Sequence, residues 1–369
     1  MVRVLHILGA MNRGGIETFI MNVYKTIDRD NIQFDFLVNS KNNDYAEEIE
    51  ELGGKVYYIP PRNAGFIAFR KNIDIFFEKN KGVYCAVHNH VASLSSIYVL
   101  ASAKKNGIKV RIVHSHSSNI KGSKLHYISH FFNKARIKVL ATDYFACSDV
   151  ARHWLFDYTG CFSRSKIINN GIITSDFRYD DEKRKKIREE LKLKETDIAI
   201  CHIGSFIPVK NQSFLIDVFS YLLKKSDKYK LFLVGDGILK KQIEEKVYDA
   251  NIGDSVYFLG LRKDVNFLMQ GFDCLVFPSL FEGLPVTLVE AQAADLRVVC
   301  SDNISKMAIL LPTTNFLSLT LGPLQWAKII HARLCSKQRK DNTSIIEEAG
   351  FDICTITEFL RAIYLNKNA

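Results

Sequence analysis

Apolar residues gather in short runs along this chain, several of them unbroken, with amphipathic stretches between. Arg3–Leu8, Phe34–Val38, Lys55–Ile59, Ala86–His88, Val110–His114 and Tyr144–Cys147 read as strands. Unbroken apolar runs are the mark of parallel strands buried on both faces. Helical spacing falls between them, over Ile16–Ile27, Tyr45–Leu52, Phe66–Lys79, Leu94–Lys105 and Val150–Phe156. This alternation predicts βαβ units and a doubly wound sheet. A second series follows, with strands Ala199–Ile203, Lys230–Val234, Val256–Phe258, Cys274–Phe277 and Arg297–Cys300. Its helices are Gln212–Leu223, Leu239–Ala250 and Val286–Ala294.

Between the series lies Thr174–Asp197, polar and highly charged, where Lys183–Lys186 and Glu189–Glu190 read as an exposed linker helix. The boundary falls near Asn170–Asp181. Two α/β domains are therefore expected, over 1–173 and 174–352, with the terminal helix Ile353–Tyr364 and the rest of 353–369 packing back onto the first. Two such halves, facing each other, would enclose a central cleft. Ligands of such sheets sit at the carboxyl ends of the strands.

Length agrees: 369 residues at ~150 per domain give two domains. No apolar run approaches the ~18 residues that span a bilayer. Val4–Met11 is short and followed by Arg13 and Glu17, so it reads as a first strand rather than a signal peptide. The eight cysteines lack metal-ligand spacing, and several lie in apolar runs. That usage points to a reduced cytosol. The net charge of +10 is scattered, with no arginine-rich arm, which argues against a nucleic-acid partner. The basic residues Arg70, Lys71, Lys121, Lys124, Lys134, Arg136 and Lys138 could instead meet anionic lipid headgroups or a phosphorylated acceptor.

Four segments carry candidate chemistry. Gly14-Gly15 ends the loop after the first strand and opens a helix, where bare backbone N–H groups can approach a phosphate. It matches neither the dinucleotide fingerprint nor a Walker A loop. Gly204–Asn211 follows a strand and brings Lys210 over the strand ends toward a diphosphate. Phe281–Glu290 places Glu282 in a turn and Glu290 about one turn inside the next helix, with Pro285 at its first position. Carboxylates suit diols because each has two acceptor oxygens. Finally, His88-Asn89-His90 and His114-Ser115-His116 lie at strand ends. Each pair is read with its imidazoles on opposite sides of the chain and with no third metal ligand in view. His116 is the one expected to touch substrate, while His88 and His114 are expected to be structural.

Together these motifs resemble the GT-B glycosyltransferases of family 4, of the type that builds bacterial exopolysaccharide and capsule. The resemblance rests on G-G-I-E at Gly14–Glu17, H-S-H at His114–His116, N-N-G-I at Asn169–Ile172 and G-x5-K-N at Gly204–Asn211. V-G-D-G at Val234–Gly237, L-G at Leu259–Gly260 and E-x7-E from Glu282 to Glu290 complete it. It implies two Rossmann-like domains and retaining transfer of a hexose or N-acetylhexosamine from a nucleotide sugar, a UDP-sugar. The acceptor would be lipid-linked or a saccharide. No metal and no cofactor beyond the donor are implied, and the setting is cytoplasmic, at the inner face of the plasma membrane. By resemblance, Gly15 and Lys210 would hold the diphosphate, Glu282 the sugar hydroxyls and Glu290 the ribose. His116 would line the acceptor side or steady the transferring sugar, and Arg262 would lie near the base. Gly204, Ser205, Asn211, Gly283, Leu284 and Pro285 would complete the donor site. Ser205 stands where many members have arginine, and Asp295 where a glycine is common. These departures keep a second reading open: a transferase-like subunit that binds without catalysis in a polysaccharide assembly complex.

Overall fold

A computed structural model describes residues 1–117, 124–334 and 339–365. The chain divides into two compact units, Met1–Gly171 with Asp352–Ala369, and Ile172–Phe351. Each is built on a wholly parallel sheet.

The first unit has strands β1 Val2–Leu8, β2 Ile32–Val38, β3 Lys55–Tyr58, β4 Tyr84–Val91, β5 Val110–Ser115, β6 Asp143–Ala146 and β7 Lys166–Ile167. Its helices are α1 Gly15–Thr26, α2 Ala46–Glu51, α3 Phe66–Lys79, α4 Tyr98–Lys105, α5 Lys124–Leu140 and α6 Asp149–Phe156. The strand order is β3-β2-β1-β4-β5-β6-β7. It reverses direction between β1 and β4, and such a switch point is where doubly wound sheets bind ligands. All of β2 is buried, including Asp35. That carboxylate is tolerated because it accepts from Arg3 Nε at 2.8 Å, Lys55 N at 2.9 Å and Tyr84 Oη at 3.0 Å.

The second unit has strands β8 Ile198–Ile203, β9 Tyr229–Val234, β10 Val256–Gly260, β11 Cys274–Phe277, β12 Arg297–Ser301 and β13 Thr314–Leu317. Its helices are α7 Thr174–Phe177, α8 Asp181–Glu190, α9 Gln212–Leu223, α10 Lys240–Asp249, α11 Val265–Gly271, α12 Val286–Ala293, α13 Gly322–Arg333 and α14 Thr343–Glu348. Strand order β10-β9-β8-β11-β12-β13 sets its switch point between β8 and β11. The final helix, α15 Ile353–Tyr364, returns to the first unit and packs on α1.

Three segments differ from their sequence reading. The charged helix α8 is not an exposed linker: Ile187 and Arg188 are buried, and Arg184 and Arg188 both grip Asp273, the residue before β11. The helix expected from Leu94 starts only at Tyr98. Leu94 is instead pinned as a loop, its N–H donating to His130 Nδ1 at 3.0 Å and its carbonyl accepting from Asn133 at 2.7 Å. Both partners belong to α5, a helix that the apolar pattern did not announce. Its inward residues include His130 and Lys134, while Leu125, Ile128, Phe131, Phe132 and Val139 face out. Lys134 is therefore not a surface cation. It is buried, and its Nζ donates to the carbonyls of Trp154 (2.8 Å) and Asp157 (3.1 Å) at the end of α6. Cations at a helix C-terminus complement its dipole. Lys121 lies outside the described residues.

Candidate active site

The clearest constellation lies at the switch point of the second sheet. β8 runs into Gly204–Asn211, where a short 3₁₀ turn at Pro208–Lys210 ends in Asn211, left-handed at φ 54°. Asn211 tolerates that conformation and anchors itself by donating Nδ2 to the Pro278 carbonyl at 3.1 Å. The next loop partner is the segment after β11, since Leu280 N–H donates to the Val209 carbonyl at 2.8 Å. These bonds bring Lys210 to Glu282. Their Nζ–Oε1 distance is 2.7 Å, and the side chains are 17% and 19% exposed. Lys210 Nζ also sits 4.6 Å from the centre of the Phe277 ring. Gly204 leaves room for the lysine stem, because a Cβ there would lie 3.3 Å from Lys210 Cε. Sequence reading gave Lys210 and Glu282 separate tasks, whereas the fold pairs them.

A third loop braces this pair. Gly204 N–H donates to the Val234 carbonyl and Phe206 N–H to that of Asp236, both at 2.9 Å. Gly235 sits at φ +136°, and any Cβ on it would run into the Gly204 carbonyl oxygen. Only glycine allows that approach.

Glu282 also takes part in a parallel bridge with Ile304, which fixes its backbone. Gly283 is exposed and Leu284 packs at the rim of the core. Pro285 is the N-cap of α12 rather than its first helical residue, so Glu290 is the fifth residue of the helix. Glu290 keeps some exposed surface, yet burial pushes its carboxyl up to about 7. Among the described residues it makes no side-chain hydrogen bond or ion pair, with the Lys210–Glu282 pair or with any other group. Ser205 is exposed, and its carbonyl accepts from Gln212 Nε2 at 2.9 Å. Arg262 is held in a fork by Asp264, at 2.7 and 2.6 Å, and reaches Glu190 at 3.1 Å.

His202, at the carboxyl end of β8, went unnoticed in the sequence. It is buried, stacks on Phe277 at 5.4 Å and bonds the Val276 carbonyl through Nδ1 at 3.0 Å. Burial, with the charge of Lys210 adding to it, pushes its imidazole down to about 4. A histidine one residue before the end of an apolar strand run was the available signal.

Asp295 is far from this chemistry, at the opening rather than the closing end of β12. It follows α12 in the left-handed conformation, φ 51°, that glycine usually supplies after a helix. Its carboxylate accepts from Lys340 N at 2.7 Å and Asn342 Nδ2 at 2.8 Å. This departure from the family pattern is thus a local structural exchange.

In the first unit, α1 opens at Gly15 with Gly14 as an uncapped N-cap. Among the described residues, the Gly15 and Ile16 N–H groups have no acceptor. Glu17 folds back over this end, since a Cβ on Gly14 would strike its Oε2. Burial raises the Glu17 carboxyl above its usual range.

The histidines contradict their sequence reading. Residues two apart on a strand share a face. The rings of His88 and His90 stack with centres 4.2 Å apart, and those of His114 and His116 lie 4.0 Å apart. His6 on β1 joins them. His6 Nδ1 lies 3.0 Å from His90 Nε2, His90 Nδ1 is 2.9 Å from His116 Nε2, and His88 Nε2 is 3.1 Å from His114 Nδ1. Tyr364 Oη meets His88 Nδ1 at 2.8 Å. A third nitrogen ligand is therefore present beside each pair. Burial pushes His6 and His116 down to about 3 and the other three well below the usual range.

Comparison with known proteins agrees with this architecture. The family model "Glycosyltransferase Family 4" matches residues 13–176, and "Glycosyl transferases group 1" matches 183–311. EpsF of Bacillus subtilis (strain 168), which carries a glycosyltransferase name, is 35% identical across 95% of this chain and 93% of its own. The capsular polysaccharide biosynthesis glycosyltransferase CapH of Staphylococcus aureus is 27% identical across 100% and 99%. The crystal structure of Anabaena HepE in complex with UDP superposes with a TM-score of 0.77 at 18% identity, covering 99% of this chain and all of that one. With its two parallel-sheet α/β units in the GT-B architecture, the chain belongs to the glycosyltransferases of family 4, group 1.

Proposed function

We propose that the chain moves a hexosyl or N-acetylhexosaminyl group from a UDP-sugar to a lipid-linked or saccharide acceptor in exopolysaccharide or capsule synthesis. Transfer retains the anomeric configuration and uses no metal at the donor. The observation that carries this reading is the Lys210–Glu282 pair at the switch point of the second sheet. In the free protein each charge neutralises the other. An incoming diphosphate offers Lys210 a stronger anion and releases Glu282 to accept from the hydroxyls of the donor sugar. As the bond from the anomeric carbon to the phosphate oxygen breaks, negative charge collects on the diphosphate, where Lys210 stabilises it. The departing phosphate oxygen takes the acceptor's proton on the same face, so the new bond forms where the old one broke. Glu290 binds the ribose, His116 lines the acceptor side, and the Gly15 end of α1 receives phosphate once Glu17 yields. CapH supports the polysaccharide setting, and HepE with UDP supports the donor class.

The reading extends to a peripheral place in the cytoplasm, on the inner face of the plasma membrane. No described helix is long and apolar enough to cross a bilayer. The outward face of α5 is suited to lie on one: Leu125, Ile128, Phe131, Phe132 and Val139 are exposed among Lys124, Arg136 and Lys138. Arg70 and Lys71 of α3 are exposed as well. Apolar side chains ringed by basic groups bind anionic interfaces.

The test is a panel of UDP-sugars. A true donor at 100 times its dissociation constant stabilises the protein by about 2.7 kcal/mol. It should then be consumed with an acceptor present, in the presence of chelator. Binding of UDP with no turnover on any donor and acceptor pair would establish the binding-subunit reading instead.

A further inference from the structure

We propose that His90, His114 and His116 form a binding site for a zinc-class divalent cation at the carboxyl end of the first sheet. Two groups of three histidines have ring nitrogens within 4.8 Å of one another: His6, His88 and His90, and His90, His114 and His116. The first group is sealed. The second reaches the surface through His116, which is only partly buried. That gives an ion a way in and leaves a position for water or an anion.

Register explains why the nitrogens converge. His6 pairs with His88 across β1 and β4, and His90 with His114 across β4 and β5. The i, i+2 spacing adds a second imidazole on the same face of both β4 and β5. The outer nitrogens of His114 and His90 are already held in the manner of a supported metal site. His88 engages His114 Nδ1, leaving His114 Nε2 buried with no hydrogen-bond partner. Tyr364 in turn fixes His88, and His6 engages His90 Nε2. His116 turns its Nε2 toward His90 Nδ1 at 2.9 Å, and its Nδ1 is buried and unpartnered. Three imidazoles without a carboxylate select first-row ions such as zinc, copper or nickel over magnesium or calcium.

This inference does not rest on the transfer reading, since all its residues lie in the first unit and metal content is read without a donor. Full-length protein, freed of any affinity tag and of metal by chelator, is titrated with Co²⁺ and then with Zn²⁺. We expect stoichiometric cobalt binding with the intense visible absorption of a four-coordinate ion, displaced by zinc and indifferent to excess magnesium. His116→Ala and His90→Gln should abolish it, and His88→Ala, which removes an outer partner, should weaken it about 10- to 100-fold. Because His90 is deep in the sheet, His116→Ala at the strand end keeps the test readable should the other variant fail to fold. A cobalt spectrum like that of the hydrated ion, or binding that survives both ligand substitutions, would overturn the proposal.

Discussion

Removing Lys210 should separate two roles that its geometry combines. Its Nζ stands 2.7 Å from Glu282 Oε1, with both side chains less than one-fifth exposed. A pair so placed lies between a surface ion pair, at about 0–1 kcal/mol, and a buried one, whose breaking costs about 3–5 kcal/mol. Lys210→Met should therefore cost about 1–2 kcal/mol, because it strands the Glu282 carboxylate. Glu282→Gln should cost a similar amount by stranding the ammonium. The double variant strands neither charge and should regain most of the loss, as expected for groups in direct contact. Catalysis should behave differently. Losing one preorganised cation at a developing charge lowers turnover about 10²- to 10³-fold, or about 2.7–4 kcal/mol of barrier. The double variant should be at least as impaired as either single one. Denaturant midpoints and initial rates of sugar transfer, measured on all four proteins, make the comparison. If activity recovers alongside stability in the double variant, the pair is a structural strut and the assignment of Lys210 to the diphosphate is wrong.

Glu290 has its carboxyl raised to about 7, so lowering the pH through 7 should protonate it and weaken nucleotide binding, and Glu290→Gln should flatten that dependence in calorimetric titrations with UDP. The same shift means the folded state holds a proton that the unfolded chain releases above its ordinary carboxyl range, so this group favours the fold below about 4.5 and progressively less up to about 7; the wild type should lose more stability than Glu290→Gln over that window. Gly235→Ala should destabilise the protein by about 2–4 kcal/mol, from positive-φ strain and collision with the Gly204 carbonyl, and a melting temperature within a degree of wild type would contradict the bracing role. Phe131→Ser with Phe132→Ser should reduce sedimentation with phosphatidylglycerol vesicles while leaving transfer to a water-soluble acceptor unchanged; undiminished vesicle binding would remove α5 as the contact.

What the sequence discloses about this protein depends on whether an element buries its own apolar residues. β11 and α9 are legible to the residue, Cys274–Phe277 and Gln212–Leu223, because one is an unbroken apolar run and the other carries a clear apolar face. The helix α5 inverts that rule. It gives two of its inward positions to His130, which holds the Leu94 loop, and Lys134, which closes the end of α6, beside Ile137 and Leu140, while its phenylalanines face out. A periodicity argument fails on a helix whose inward face is half polar and whose outward face is rich in apolar residues. α8 misleads from the opposite side, since its charges look solvated but two of its arginines neutralise Asp273 at the foot of β11.

The site shows the same division. The residue types were legible, since a lysine after one strand and a glutamate after another are local features. Their meeting was not. Lys210 and Glu282 are far apart in sequence, and only the parallel pairing of β8 with β11 sets their following loops side by side. The histidines follow the same logic: each HxH pair is visible locally, yet the third nitrogen comes from a neighbouring strand whose register no local motif encodes. A doubly wound sheet thus converts positions that are separately unremarkable into neighbours at its switch point. Any residue near the end of a strand beside that point, as His202 is one residue before β8 ends, is therefore a candidate for chemistry even when its own segment reads as ordinary core.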